Sequence, residues 1–187
     1  LKAGETVTQT YTARVTDDVG AYVDQTITVT INGTNDAPVL ADTTDPVAVV
    51  EAGDATAQNL AQITGSFAVT DLDVGDTLTP SVVGTPTVLL NAAAFTLPAG
   101  AAALIANGVF SLTGATSNGS TASIGYSYDP AAVNLDFLRA TDSLTITYTV
   151  QVSDGTNTST TQTVTFTITG TNDAPVLADT TDPVAVV

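Results

Sequence analysis

Apolar and polar residues alternate with period two along much of this chain. Val7, Gln9, Tyr11, Ala13 and Val15 alternate with Thr6, Thr8, Thr10, Thr12 and Arg14. Val23, Gln25, Ile27, Val29 and Ile31 alternate with Asp24, Thr26, Thr28, Thr30 and Asn32. The pattern returns at Leu144, Ile146, Tyr148, Val150 and Val152, and again at Val164, Phe166 and Ile168. A period of two gives a strand one buried and one wet face. Threonine on the wet face keeps β-propensity without adding charge. Residues 143–153 and 161–169 therefore predict an antiparallel hairpin. The weaker region 80–125 predicts strands near 81–90, 108–113 and 122–128. The uncharged run up to Phe110 is broken by Pro80, Gly84, Pro86, Asn91, Pro98 and Gly100. A membrane helix needs about 20 consecutive apolar residues, so the run reads as buried strands with an Ala-rich loop or short helix. Many short strands separated by Gly, Asn and Asp predict an all-β, antiparallel β-sandwich.

The chain also repeats itself. "GTNDAPVLADTTDPVAVV" occupies 33–50 and returns at 170–187, 137 positions later. The match runs backwards without a gap: "TYTARVTDD" at 10–18 lies on "TYTVQVSDG" at 147–155, and "QTITVTING" at 25–33 on "QTVTFTITG" at 162–170. Self-similarity at a fixed period indicates an array of like units. The expected division is 1–36 as the end of one repeat, 37–173 as a complete repeat, and 174–187 as the start of another. Residues 1–32 supply only one hairpin, and an isolated hairpin is marginal in water. They are expected to pack on another chain or on the third-repeat segment.

Charge narrows the partners. Nineteen acids face three bases, a net charge of −16. Affinity for nucleic acid or anionic membranes comes from clustered Lys and Arg, so neither is expected as a partner. The chain has no Cys and no His, which removes disulfide scaffolds, most zinc sites and the usual Ser-His or Cys-His nucleophiles. No enzyme is expected. A divalent cation is the natural counter-charge.

Four acidic spots could hold one: "GTND" at 33–36 and 170–173, "VVEAGD" at 49–54, "TDLDVGD" at 70–76, and "VSDG" at 152–155. In the hairpin Asp154 falls at the turn, and Asp142 and Gly170 fall at the open end, about 30 Å away. If repeats stack end to end, the turn meets the preceding junction at Asn35 and Asp36. Carboxylates gathered at a junction repel unless a cation joins them. Ca²⁺ takes six to eight oxygens from carboxylates, Asn and backbone carbonyls. The plainer reading is that each Asp is an ordinary turn residue.

These motifs carry a resemblance. "GTNDAPV" after a Thr-rich strand resembles the signature of VCBS-type, cadherin-like tandem repeats of large bacterial surface adhesins, of the RTX and biofilm-associated kind. "VVEAGD" is similar to the cadherin Glu motif, and "VTDLDVGD" to its Asp-x-Asp motif. The resemblance implies a Greek-key, cadherin- or immunoglobulin-like sandwich in tandem. It implies that Asn35, Asp36, Asp71, Asp73 and Asp154 share calcium at the upper junction, and Glu51, Asp142, Asn172 and Asp173 at the lower. Gly33, Gly170 and Ala37 depart from the cadherin linker, which implies fewer than its three ions. The expected function is a calcium-stiffened spacer or stalk, extracellular, on a bacterial surface or secreted. Its partners would be neighbouring repeats or like chains in a fibre. The alternatives are a glycan-binding module, with Tyr126 and Tyr128 as a stacking platform, and a subunit of a self-assembling filament. Both tyrosines read more readily as core.

Overall fold

The computed structural model describes residues 1–53 and 57–175. The chain begins with a hairpin of β1 (Thr6–Thr16) and β2 (Tyr22–Asn32), in register from Thr6 opposite Asn32 to Thr16 opposite Tyr22. The remaining strands form two sheets. The first contains β3 (Val39–Leu40), β5 (Ile63–Thr70), β9 (Phe110–Thr113) and β11 (Thr121–Tyr128), in the order β3-β5-β11-β9. The second is built on β12 (Ser143–Ser153) and β13 (Gln162–Thr169). One edge of β12 meets β6 (Thr77–Val82) near its end and β7 (Thr87–Leu90) near its start. β8 (Ala93–Ala94) pairs with β7, β10 (Ala115–Thr116) with β6, and β4 (Val49–Val50) with β13.

The inward faces follow the alternation. Phe67, Val69, Ile124, Tyr126 and Tyr128 of one sheet meet Leu144, Ile146, Tyr148, Val150, Val152, Val164, Phe166 and Ile168 of the other, all buried. Tyr128 stacks on Phe166 with ring centres 4.2 Å apart. Its hydroxyl donates to the Leu104 carbonyl at 2.9 Å, which satisfies the one polar atom the ring carries inside. Tyr126 and Tyr128 are therefore core residues, and their rings offer no platform to a sugar.

Two local departures from expectation have physical causes. The stretch 81–90 is two strands. Gly84 adopts φ 72°, and Pro86 has no N–H to give to a ladder. The chain jogs there and meets β12 at two separate registers. The sandwich also contains one parallel pair, Ile168 opposite Val49. The segment 39–50 is divided between the sheets, with β3 on the first and β4 on the second. Asp45 stands between them, and its carboxylate accepts the Thr165 amide of β13 at 2.7 Å. The Ala-rich stretch forms a 3-10 helix, Ala99–Ile105, whose Ala101 and Leu104 are buried.

The first hairpin differs from everything else, because every residue of β1 and β2 is exposed. Val7, Tyr11, Val15, Ile27, Val29 and Ile31 line its apolar face. At the 137-residue offset these positions coincide with Leu144, Tyr148, Val152, Val164, Phe166 and Ile168, which are core in the sandwich. Of the segment expected to cover the hairpin, residues 176–187 lie outside the described residues.

Candidate metal centres

Two groups of carboxylates lie at opposite ends of the β12–β13 hairpin. The upper group follows β5. Asp71, Asp73 and Asp76 each bring a carboxylate oxygen within 4.8 Å of the others. The loop is folded back by its own groups. The Asp73 amide donates to Asp71 Oδ1 at 2.9 Å, and Gly75 takes a φ of 89° that other residues rarely adopt. Buried Ser117 ties the two limbs: its hydroxyl donates to the Asp71 carbonyl and its amide to the Asp76 carbonyl, both at 2.8 Å.

The linker from the first hairpin closes over this loop. The Asp36 amide donates to Asp73 Oδ2 at 2.8 Å. The Asn35 side-chain amide donates to Asp154 Oδ2 at 2.9 Å. Asp154 Oδ1 accepts the Thr156 and Asn157 amides at the hairpin turn. Burial pushes the Asp154 carboxyl up, but the hydrogen bonds from Asn157, Asn35 and Thr156 together hold it below the usual range. Asn35, Asp36, Asp71, Asp73 and Asp154, separated by up to 119 residues, are thus brought to one place.

The upper group is incompletely satisfied. Asp71 is 1% exposed and Asp73 0%. Asp71 Oδ2 and Asp73 Oδ1 are buried without a hydrogen-bond partner. Burial, followed by the repulsion of Asp154, Asp76 and Asp73, raises the Asp71 carboxyl above its ordinary value, against the opposing amide of Asp73. A buried, unpaired carboxylate costs several kcal/mol unless a charge partner or a proton meets it.

The lower group is Glu51, Asp136 and Asp173, again with oxygens within 4.8 Å of one another. Glu51 is 3% exposed. Its Oε2 accepts the Thr171 amide at 3.0 Å, and its Oε1 has no partner. The Thr171 hydroxyl oxygen is buried and unpartnered as well. Burial raises the Glu51 carboxyl, the Thr171 amide opposes that, and Asp173 and Asp136 add to it. Asn172 donates its side-chain amide to the Asp173 carbonyl at 3.1 Å, the same bond that Asn35 makes to Asp36 at 3.2 Å.

Asp142, expected in the lower set, is not among the three carboxylates gathered there; its oxygens are bonded within the turn before β12. Oδ1 accepts the Asn91 side chain at 2.7 Å, and Oδ2 the Arg139 amide at 2.9 Å. These bonds, Asn91's first, lower its carboxyl below the usual range. Glu5 does the same before β1, accepting the Lys2 amide at 3.2 Å. Its carbonyl takes the Gly33 amide at 2.8 Å, as Asp142's takes the Gly170 amide at 2.9 Å. Gly4 and Thr141, 137 positions apart, share the positive φ of this turn at 85° and 75°. A Cβ at Gly33 or Gly170 would strike the Lys2 or Arg139 carbonyl, which is why an Asp cannot stand there.

Asp136, which the sequence did not suggest, lies in the lower group. Its amide bonds to Asn134 Oδ1 at 3.1 Å, and Asn134 donates to its Oδ2 at 3.0 Å. Asp136 and Ser117 escaped sequence reasoning because each lies in a segment without period. Both groups offer only oxygens: carboxylates, a hydroxyl and nearby carbonyls. That donor set fits a hard divalent cation such as Ca²⁺. A bound ion would neutralise the repulsion and give the orphaned oxygens of Asp71, Asp73 and Glu51 a partner.

No helix among the described residues is long and apolar enough to cross a membrane. No protein-family model matches the sequence. No curated protein matches it either. In structure the chain is similar to the ASH/PapD-like domain of human CEP192 (PapD-like domain 7), with a TM-score of 0.35 and 9% identity over 75% of this chain and 89% of that one. At that level the similarity carries no functional argument.

Proposed function

We propose that this chain is a segment of a calcium-stiffened spacer: tandem Greek-key, cadherin-like sandwiches of the VCBS kind, joined by linkers that share metal. The boundaries would be 1–36, 37–173 and 174–187. The observation that carries this reading is the pair of orphaned oxygens on Asp71 and Asp73, walled in at the seam where Asn35 and Asp36 arrive. Acidic turns made only for solubility would leave their carboxylates in water. Here they are buried and unpaired at the point where the linker from the first hairpin reaches the sandwich. Asn35, Asp36, Asp71, Asp73, Asp76 and Asp154 would hold calcium above, and Glu51, Asp136 and Asp173 below. Extracellular modules bind calcium with dissociation constants of about 10⁻⁴–10⁻³ M, so the reading places the protein outside the cell, in a surface-bound or secreted bacterial adhesin. The ion would supply charge neutralisation only, and the chain's own residues would fix the angle between units.

The test is thermal unfolding with calcium and with a chelator. One site at a hundredfold excess over its dissociation constant adds about 2.7 kcal/mol, or roughly 5–10 °C for a unit of this size. Equal melting temperatures in the two conditions would refute the reading.

A further inference from the structure

Of the three basic residues in the chain, Lys2 and Arg139 stand 137 positions apart, on the two turns that share a positive φ and a carboxylate cap. Lys2 is paired. Its Nζ lies 3.2 Å from Asp76 Oδ1, with side-chain exposures of 36% and 12%. Asp76 is the outermost member of the upper carboxylate group, so a cation already stands at the candidate metal centre. That cation comes from the segment leading into the first hairpin, whereas Asp76 belongs to the sandwich.

Lys2 does not complete the group. Asp71 Oδ2 and Asp73 Oδ1 remain without partners. An ammonium is a compact point charge on a flexible stem, and this one reaches only the rim. A divalent ion seated among the three carboxylates would draw on the same Asp76 carboxylate and would meet a like charge beside it.

We propose that Lys2 is a tethered rival of the divalent cation for Asp76. Without metal it holds the first hairpin against the acidic loop. With metal it is displaced, and the work of displacing it lowers the affinity of the loop. This rests on the calcium reading of the upper group. Arg139, its counterpart in register, makes no ion pair among the described residues.

The experiment is a calcium titration of the full chain followed by amide NMR signals, with Gly75 reporting the upper group and Asp136 the lower. Lys2→Ala is expected to tighten binding at Gly75 by up to about thirtyfold, the factor a unit charge about 4 Å from a divalent ion exerts in water. Asp136 serves as an internal reference and should be unaffected. Arg14→Ala removes the same formal charge from the far end of the hairpin, where Arg14 pairs with Asp24 at 2.7 Å, and should change neither signal. In an Asp76→Asn background Lys2→Ala should have no further effect. Binding seen at Gly75 only after Lys2→Ala would also support the proposal. Unchanged or weaker binding in Lys2→Ala, with the parent chain still binding calcium, would overturn it alone. No calcium response in any variant would overturn the calcium reading and this inference together.

Discussion

Asp71 and Glu51 hold carboxyls that burial has raised above their ordinary values of 3.8 and 4.5. The sign of the consequence is fixed by linkage. A folded-state value above the unfolded one means the fold favours the protonated form, so the stability is present at low pH and lost as pH rises through the folded value. Metal-free protein should therefore melt higher at pH 5 than at pH 7. With saturating calcium the ionised forms are wanted and the trend should reverse. Thermal melts at the two pH values, with and without chelator, read both signs. Asp136 and Asp142 give a second residue-scale contrast. Asp136→Asn should abolish calcium binding at the lower group. Asp142→Asn should lower stability by loosening the turn before β12 while leaving calcium binding intact, and calorimetric titration separates the two. The sequence favoured Asp142 because hairpin arithmetic puts it beside Gly170, where the structure does place it. What the arithmetic could not see was that Asn91 and the Arg139 amide bind its carboxylate into the turn, while Asp136 lies beside Glu51 and Asp173. The meeting of Asn35 with Asp154 was legible by the same arithmetic, since a hairpin of known length puts its turn at a known end.

At the scale of elements, the period-two pattern fixed what could be read in advance. β1, β2, β12 and β13 alternate strongly and appear where the alternation puts them. β6 and β7 depend on a break at Gly84 and Pro86 and on partners far along the chain, so pattern alone merged them. β3 and β4 are two residues each, too short to carry a period. The two long hairpins are near copies with different surroundings, which makes a direct comparison possible. Phe166 is 1% exposed and stacked on Tyr128, so Phe166→Ala should cost about 3–5 kcal/mol. Val29, its counterpart, is 45% exposed, and Val29→Ala should change the melting temperature little. The same comparison tests the repeat boundaries. Joining residues 37–137 ahead of Leu1 supplies the β5, β9 and β11 equivalents that cover Tyr148 in the sandwich. Tyr11 should then pass from exposed to buried, read by its accessibility to a fluorescence quencher. An unchanged Tyr11 would mean that the hairpin is not the end of such a unit.

At the scale of the molecule, a net charge of −16 over 187 residues strains any compact arrangement through self-repulsion. The upper carboxylates concentrate that strain where the first hairpin meets the sandwich. Pro38 fixes its own φ and biases Ala37 toward extended backbone, which stiffens one side of the linker only. The rest of the angle is set by the Asn35–Asp154 and Asp36–Asp73 bonds, the Lys2–Asp76 pair, and the ion that the orphaned oxygens would accept. Small-angle X-ray scattering of the chain with and without calcium measures that angle most directly. The expected result is a distribution of dimensions that narrows on adding calcium, with the narrowing lost in Asp73→Ala while the sandwich stays folded. Identical curves in the two conditions, or a calcium effect that survives Asp73→Ala, would contradict a metal-stiffened junction.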